Sequence, residues 1–294
     1  MTERLFIALQ YLLPKRLLGR VVYRLSRTQI PLLKNLLIRG FVRAFRVDIS
    51  EMDEPDPCNY PSFNAFFTRE LKTGARPFDP DPNVIGCPAD GAVQNLGRIR
   101  AGQLLQAKGI EYRLDRLLDI EPGEAERFDG GAFLTIYLAP HNYHRVHAPS
   151  DGRVECMNFV PGELFSVNET TARHVRSLFA RNERVACECI GGRADYWIVF
   201  VGAMNVASVS TAWAGEIAPG PTPQRTRYAE PDARELAKGD YCGHFNMGST
   251  IILVYPPDTV EWEPGLSPGD LLTVGQTIGR TKDHPRPGRR ELAT

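Results

Sequence analysis

Between residues 15 and 27, apolar positions return with the period of a helix. Leu17, Leu18, Val21, Val22 and Leu25 share one side, and Arg16, Arg20, Arg24 and Arg27 form the opposite stripe. The pattern repeats further on, where Leu33, Leu36, Leu37, Phe41 and Ala44 oppose Lys34, Arg39 and Arg43. Pro14 and Pro31 punctuate the stretch, and each can occupy the first turn of the helix that follows it. Residues 1–47 therefore predict three helices joined by two turns. Shorter helical patterns fall at 62–71, 114–118 and 169–180.

From residue 85 onward, short apolar runs broken by Gly, Pro and Asp replace the helical pattern. They predict strands at 133–138, 153–160, 184–190, 197–201, 206–213, 250–255 and 271–274. Two stretches read alike, Pro88-Ala89-Asp90-Gly91-Ala92-Val93 and Ala148-Pro149-Ser150-Asp151-Gly152-Arg153-Val154. Each predicts a tight turn feeding a strand, with the glycine of Asp-Gly supplying a positive φ. The fold class expected is α+β, with N-terminal amphipathic helices followed by a mostly antiparallel, β-rich body. The domain division expected is a basic helical arm over 1–47 and a body over 48–294.

Composition narrows the picture. The chain has 294 residues, 43% apolar and 24% charged, which is enough for a buried core and excludes a disordered or collagen-like chain. Its 26 Gly and 23 Pro agree with many turns. A net charge of zero argues against a protein that coats nucleic acid. The average conceals a split, because residues 1–47 carry ten basic side chains, eight of them Arg, against the single acid Glu3. Such a split marks an arm that faces an anionic partner. Two readings stay open for it. Either its apolar stripes pack on the protein's own core and the arginines are solvated, or it lies in a membrane interface. In the second case its cations meet anionic lipid, at about 1 kcal/mol per basic residue near the surface.

No run reaches the roughly 18 apolar residues of a spanning helix, so the chain is not expected to cross a membrane. Residues 5–13 have the length of a signal h-region, but Pro14-Lys15-Arg16 follows and no small-residue cleavage site appears. Cys58, Cys87, Cys156, Cys187, Cys189 and Cys242 form no C-x-x-C pair and read as buried thiols, with a metal pair at Cys187 and Cys189 left open. His141, His144 and His147 fall within seven residues, bracketed by Pro140 and Pro149, which favours a loop or irregular strand over a helix. Metal ligation, acid–base catalysis and a structural role all remain open for them.

Near the C-terminus Gly248-Ser249-Thr250 opens a strongly apolar run. In company with other blocks it carries a resemblance. Phe66-Phe67-Thr68-Arg69, Pro88-Ala89-Asp90-Gly91, Tyr143-His144-Arg145-Val146-His147 and Gly162-Glu163-Leu164-Phe165-Ser166-Val167-Asn168 come in that order, followed by Asn182-Glu183-Arg184, Val201-Gly202-Ala203 and Gly248-Ser249-Thr250. Together they resemble the pyruvoyl-dependent phosphatidylserine decarboxylases over most of residues 60–255. Met247 stands where that family usually has Leu, an apolar swap of similar volume.

The resemblance implies a carboxy-lyase that converts phosphatidylserine to phosphatidylethanolamine and CO2. Decarboxylating an amino acid requires an electrophilic carbonyl that no ordinary side chain offers. In this family it is a covalent pyruvoyl group made from the chain, which assigns Ser249 as its precursor and as the site of the Schiff base with substrate. The Ser249 hydroxyl would attack the Gly248 carbonyl, and ester elimination and hydrolysis would leave residues 1–248 and a pyruvoyl-headed 249–294. By the same resemblance His147 is the general base, Asp90 the carboxylate that orients it, and Ser249 the third member of a self-cleavage triad. His144 is the candidate donor of the proton to Cα, and His141 has no assignment. The implied partners are an anionic phospholipid membrane, the lipid substrate and the two chains of the cut protein, with a homo-oligomer expected and no metal. The implied location is peripheral, on the cytoplasmic face of the cell membrane. The competing readings are a pyruvoyl decarboxylase of a soluble amino acid, a metal hydrolase using His141, His144 and His147, and a non-catalytic membrane-binding module.

Overall fold

The computed structural model describes residues 3–282, apart from 108, 205–207, 218–219, 230–232 and 248. Three helices open the chain: α1 (Glu3–Leu12), α2 (Lys15–Ser26) and α3 (Pro31–Phe45). They break at the two prolines. Pro14 caps α2, and Pro31 begins α3, where its missing N–H would have had no helical partner.

The faces these helices turn inward differ from the predicted stripes. Lys34, expected on the polar side of α3, is buried beside Ile38, and its Nζ donates to the carbonyl of Cys58 at 2.6 Å and to Asn35 Oδ1 at 2.8 Å. A long aliphatic stem with two oxygens at its tip satisfies both demands of that position. Leu36, expected inside, is exposed. On α2 the small residues Gly19 and Ser26 face the body, while Leu17, Val21 and Leu25 form an exposed row at four-residue spacing.

A fourth helix, α4 (Phe63–Phe67), is shorter than the sequence predicts. Ser62 caps it through Oγ, and it ends because residues 70–72 leave to pair with 51–53: Asp53 N–H donates to the Glu70 carbonyl and Lys72 N–H to that of Glu51. Phe63, Phe66 and Phe67 of α4 pack with Ile38, Val47 and Met52 in a small core that joins arm to body. The helix predicted over 169–180 divides into Glu169–His174 and Leu178–Arg181, with Ser177 left-handed between them. The side chain of Gln106 fills the break, donating to the carbonyls of Ala172 and Val175 and accepting from Leu178 N–H. The helix at 114–118 forms as predicted.

Ten strands build the rest of the site: β1 (Gly91–Arg98), β2 (Ala132–Leu138), β3 (Arg145–His147), β4 (Gly152–Val160), β5 (Arg184–Gly191), β6 (Tyr196–Gly202), β7 (Val209–Thr211), β8 (Gly215–Ile217), β9 (Tyr241–Phe245) and β10 (Ser249–Tyr255). A large antiparallel sheet runs in the order Gln224–Arg227, β4, β5, β6, β10, β2, β1, Leu271–Leu272. A second antiparallel sheet has the order β8, β7, β9, β3. The strand predicted at 206–213 is confined to β7, with 206–207 outside the described residues, and that at 271–274 to Leu271–Leu272.

The Asp-Gly glycines serve another purpose than the one expected. Neither Gly91 nor Gly152 has a positive φ. A Cβ on Gly91 would lie 2.4 Å from the carbonyl oxygen of Tyr137, so the residue is needed for the close approach of β1 to β2. Cys187 and Cys189 are buried in β5, and burial pushes the Cys189 thiol up to about 12, so it stays protonated.

Candidate active site

The expected scissile bond lies where the chain changes sheets. β9 ends at Phe245 in the small sheet, β10 starts at Ser249 in the large one, and 246–248 make the crossing. Gly248 and the Ser249 side chain lie outside the described residues, but the Ser249 backbone is held on both sides, paired with Leu138 of β2 and Gly202 of β6. β10 sits inside the sheet because Ile251, Ile252, Leu253, Val254 and Tyr255 are apolar on both faces and all fully buried.

His147 ends β3, opposite Tyr241 at the start of β9. Its Nδ1 lies 2.8 Å from the carbonyl oxygen of Gly239 and therefore carries the ring proton, leaving the lone pair on Nε2. The Tyr143 hydroxyl meets Nε2 at 3.1 Å. Burial pushes the pKa of His147 below its ordinary value, which keeps the ring neutral and basic at pH 7.

Asp90 does not make the bond to His147 that the resemblance implies. Its carboxylate takes Arg76 through both oxygens, Nε to Oδ1 at 3.2 Å and Nη2 to Oδ2 at 2.8 Å, and Oδ1 also accepts the Val274 N–H at 2.7 Å. A buried carboxylate needs charge-assisted partners, and Arg76 and Val274 supply them before the imidazole can. What reaches His147 from Asp90 is its negative charge, which favours the protonated ring. The orienting oxygen is the Gly239 carbonyl.

His144 is wholly buried, stacked on Phe67 with ring centroids 4.1 Å apart, and neither ring nitrogen has a hydrogen-bond partner among the described residues. Burial first, and then the Arg69 cation, push its pKa down to about 3. The ring packs at Ala139 and Pro140, which directly follow Leu138, the residue paired with Ser249. Arg69 is buried too, with Nε and Nη1 unpartnered and Nη2 donating to the carbonyls of His141 and Asn142 at 3.3 and 3.4 Å. The His141 side chain is exposed. The three histidines thus do not converge, and among the described residues no cluster of three His, Cys, Asp or Glu is placed to hold a metal ion.

Sequence reasoning assigned no role to Tyr143, Arg69 or Gly239. An arginine two positions after an aromatic pair, in Phe66-Phe67-Thr68-Arg69, was a usable signal for Arg69. Tyr143 stands four residues from His147, a spacing that means contact on a helix but says nothing in an irregular strand. A backbone carbonyl such as that of Gly239 leaves no mark in a sequence.

An apolar groove of about 430 Å³ opens beside the crossing, between α2 and α3. Val22, Leu25, Leu36 and Phe41 form its walls, and Phe63 and Met247 also line it. Met247 is the residue directly before Gly248 in the sequence.

Comparison with known proteins agrees with these blocks. The family model described as phosphatidylserine decarboxylase matches residues 63–280, and one described as PSD matches residues 5–46. The phosphatidylserine decarboxylase proenzyme of Ectopseudomonas mendocina (strain ymp) is 47% identical over 285 residues, covering 96% of this chain and 100% of that protein. That of Azotobacter vinelandii (strain DJ) is 48% identical over 284 residues, covering 95% and 99%. That of Shewanella sp. (strain MR-4) is 43% identical over 287 residues, covering 96% and 98%. With matches that run through both arm and body, the chain belongs to the phosphatidylserine decarboxylase family.

Proposed function

We propose that this protein is a phosphatidylserine decarboxylase that cuts itself between Gly248 and Ser249 and works seated on an anionic membrane. The observation that carries the reading is the placement of residue 249 at the head of a strand laddered on both sides, with the buried His144 ring packed at Ala139 and Pro140, next in the chain to its partner Leu138. For self-cleavage, Nε2 of His147 takes the proton of the Ser249 hydroxyl as its oxygen attacks the Gly248 carbonyl. The acyl group passes from nitrogen to oxygen, and elimination of the ester then parts the chain. Asp90 contributes its charge, which stabilises the imidazolium formed in that step.

The surroundings fit a pyruvoyl group at position 249. Leu138 and Gly202, paired with the backbone of residue 249, would hold it in place, and the buried His144 ring packs at Ala139 and Pro140, which follow Leu138. The group supplies the ketone that withdraws the electrons left at Cα when CO2 departs. The residues around it do the rest. Arg69, a buried cation with two unpartnered nitrogens, receives an anionic group of the substrate. His144 is neutral when the site holds no substrate. A substrate carboxylate beside it raises its pKa, so the ring is charged when CO2 leaves and can pass its proton to Cα.

A lipid substrate, rather than a soluble amino acid, is favoured by the apolar groove that ends on Met247, since free serine has nothing to place there. The arm supports the same reading. Twelve of the fourteen exposed large apolar side chains among the described residues fall between Leu5 and Ile49, interleaved with the exposed Arg16, Arg20, Arg24, Arg39 and Arg43. No described helix is long and apolar enough to cross a membrane. The inner face of the arm packs on the body, and its exposed outer face is what the membrane reading would use.

Intact mass of the purified protein tests the proposal. Two fragments are expected, divided at 248/249, the smaller blocked to Edman degradation and reactive toward hydroxylamine. Phosphatidylserine vesicles should lose CO2 and free serine should not. Ser249→Ala should give one uncut, inactive chain, and normal cutting of that variant overturns the assignment.

A further inference from the structure

Gly248 cannot fix its own position, because glycine carries no anchor and is the freest residue in backbone torsion. The carbonyl that Ser249 attacks must be placed by its neighbours. On the downstream side the ladder to Leu138 and Gly202 does this. On the upstream side the anchor is Asn246, only 2% exposed and two residues before the glycine. Its backbone N–H donates to the Ser208 carbonyl at 3.1 Å. Its Nδ2 donates to Ser208 Oγ at 2.7 Å and Ser210 Oγ at 3.2 Å, and its Oδ1 accepts from Asn64 Nδ2 of α4 at 3.0 Å.

The contacts continue to the arm. Ser208 Oγ donates to Glu216 Oε1 on β8, and the same oxygen receives Arg27 Nη2 at 2.8 Å. Arg27 is the C-cap of α2, and its guanidinium lies over the ring of Tyr23 at 3.6 Å. An unbroken polar chain thus runs from the end of an arm helix to the segment ahead of the scissile bond.

We infer that Asn246 is a positioning residue for self-cleavage, and that the Arg27–Glu216 pair makes its grip depend on α2 being seated on the body. The inference rests on the self-cleavage reading above. Its consequence is that maturation senses the arm: a chain whose α2 is drawn off the body loses the far end of the clamp and cuts itself slowly.

The experiment follows conversion of newly translated uncut chain on denaturing gels. Asn246→Ala should lengthen the half-time by about tenfold or more, since an error of about 1 Å at a reacting atom can slow a reaction by about a hundredfold. Once cut, Asn246 is no longer joined to residue 249. The decarboxylation rate per cut chain should therefore match the unmodified protein, a split that a merely destabilised fold would not give. Ser208→Ala, a milder change should Asn246→Ala fail to fold, should slow cutting without lowering Tm. Arg27→Glu should slow cutting as well, and adding Glu216→Arg should restore most of the rate by re-forming the pair with exchanged charges. If the unmodified chain cuts normally and all these folded variants keep its half-time, or if Asn246→Ala slows cutting and decarboxylation alike, the inference fails. If the unmodified chain does not cut at 248/249, the self-cleavage reading itself is what falls.

Discussion

His147, the base of the proposed self-cleavage, shows how burial and one carbonyl set the state of a ring. The Gly239 carbonyl fixes the proton on Nδ1, and burial disfavours the charged form, so Nε2 stays unprotonated at a pH where an exposed imidazole would begin to take a proton. A lowered pKa has a definite sign in a rate profile. The neutral base persists as pH falls through 6.5, the ordinary value, and disappears only below the lowered one. Self-cleavage measured from about pH 8 downward should therefore stay level through 6.5 and decline only at more acid pH. A half-maximal rate at or above 6.5 would count against His147 as the base. The Tyr143 hydroxyl, whose pKa burial pushes up to about 12, stays protonated across that range.

At the scale of elements, α3 separates a face that packs on the body from an exposed apolar face, a division that one amphipathic stripe does not suggest. Ile38 and Lys34 anchor it to the body, while Leu32 and Leu36, four residues apart, point into solvent and are 84% and 67% exposed. Side chains so exposed contribute within about 0.5 kcal/mol to stability. The double variant Leu32→Glu with Leu36→Glu should therefore keep the Tm of the parent and lose most of its sedimentation with anionic vesicles. Undiminished binding would leave the outer face of α3 without a role at the membrane. Both helix breaks at Pro14 and Pro31 were legible, because proline fixes φ and lacks a donor wherever it stands. The inward faces were not, because Lys34 goes inside only where a carbonyl 24 residues away waits for it.

For the molecule as a whole, the two sheets grip the two sides of one crossing. Cutting between 248 and 249 leaves the upstream flank in the small sheet and the downstream flank as a central strand of the large one. Burial of the five apolar side chains 251–255 contributes about 10 kcal/mol, an upper estimate because an unfolded chain also buries part of its surface. The two products should therefore elute together on native size exclusion and separate only in denaturant. Separation in plain buffer would contradict the placement of β10. The crossing itself could not be read from the chain. The run at 250–255 predicts a strand, and nothing local says that the strand just before it belongs to another sheet.

Resemblance to a family pointed to His144, His147 and Ser249 as the chemistry to look for; the sequence by itself determined the order and type of the main elements and the split between a basic arm and an acidic body. These depend on local torsion, periodicity and side-chain type, which each residue carries with it. Tertiary structure alone decided that Asp90 answers to Arg76, that a carbonyl orients His147, that Arg69 and His144 are buried without full partners, and that Asn246 holds the segment before Gly248. Each of these is a competition among groups distant in sequence for the same buried donors and acceptors, and only the folded arrangement says which group arrives first.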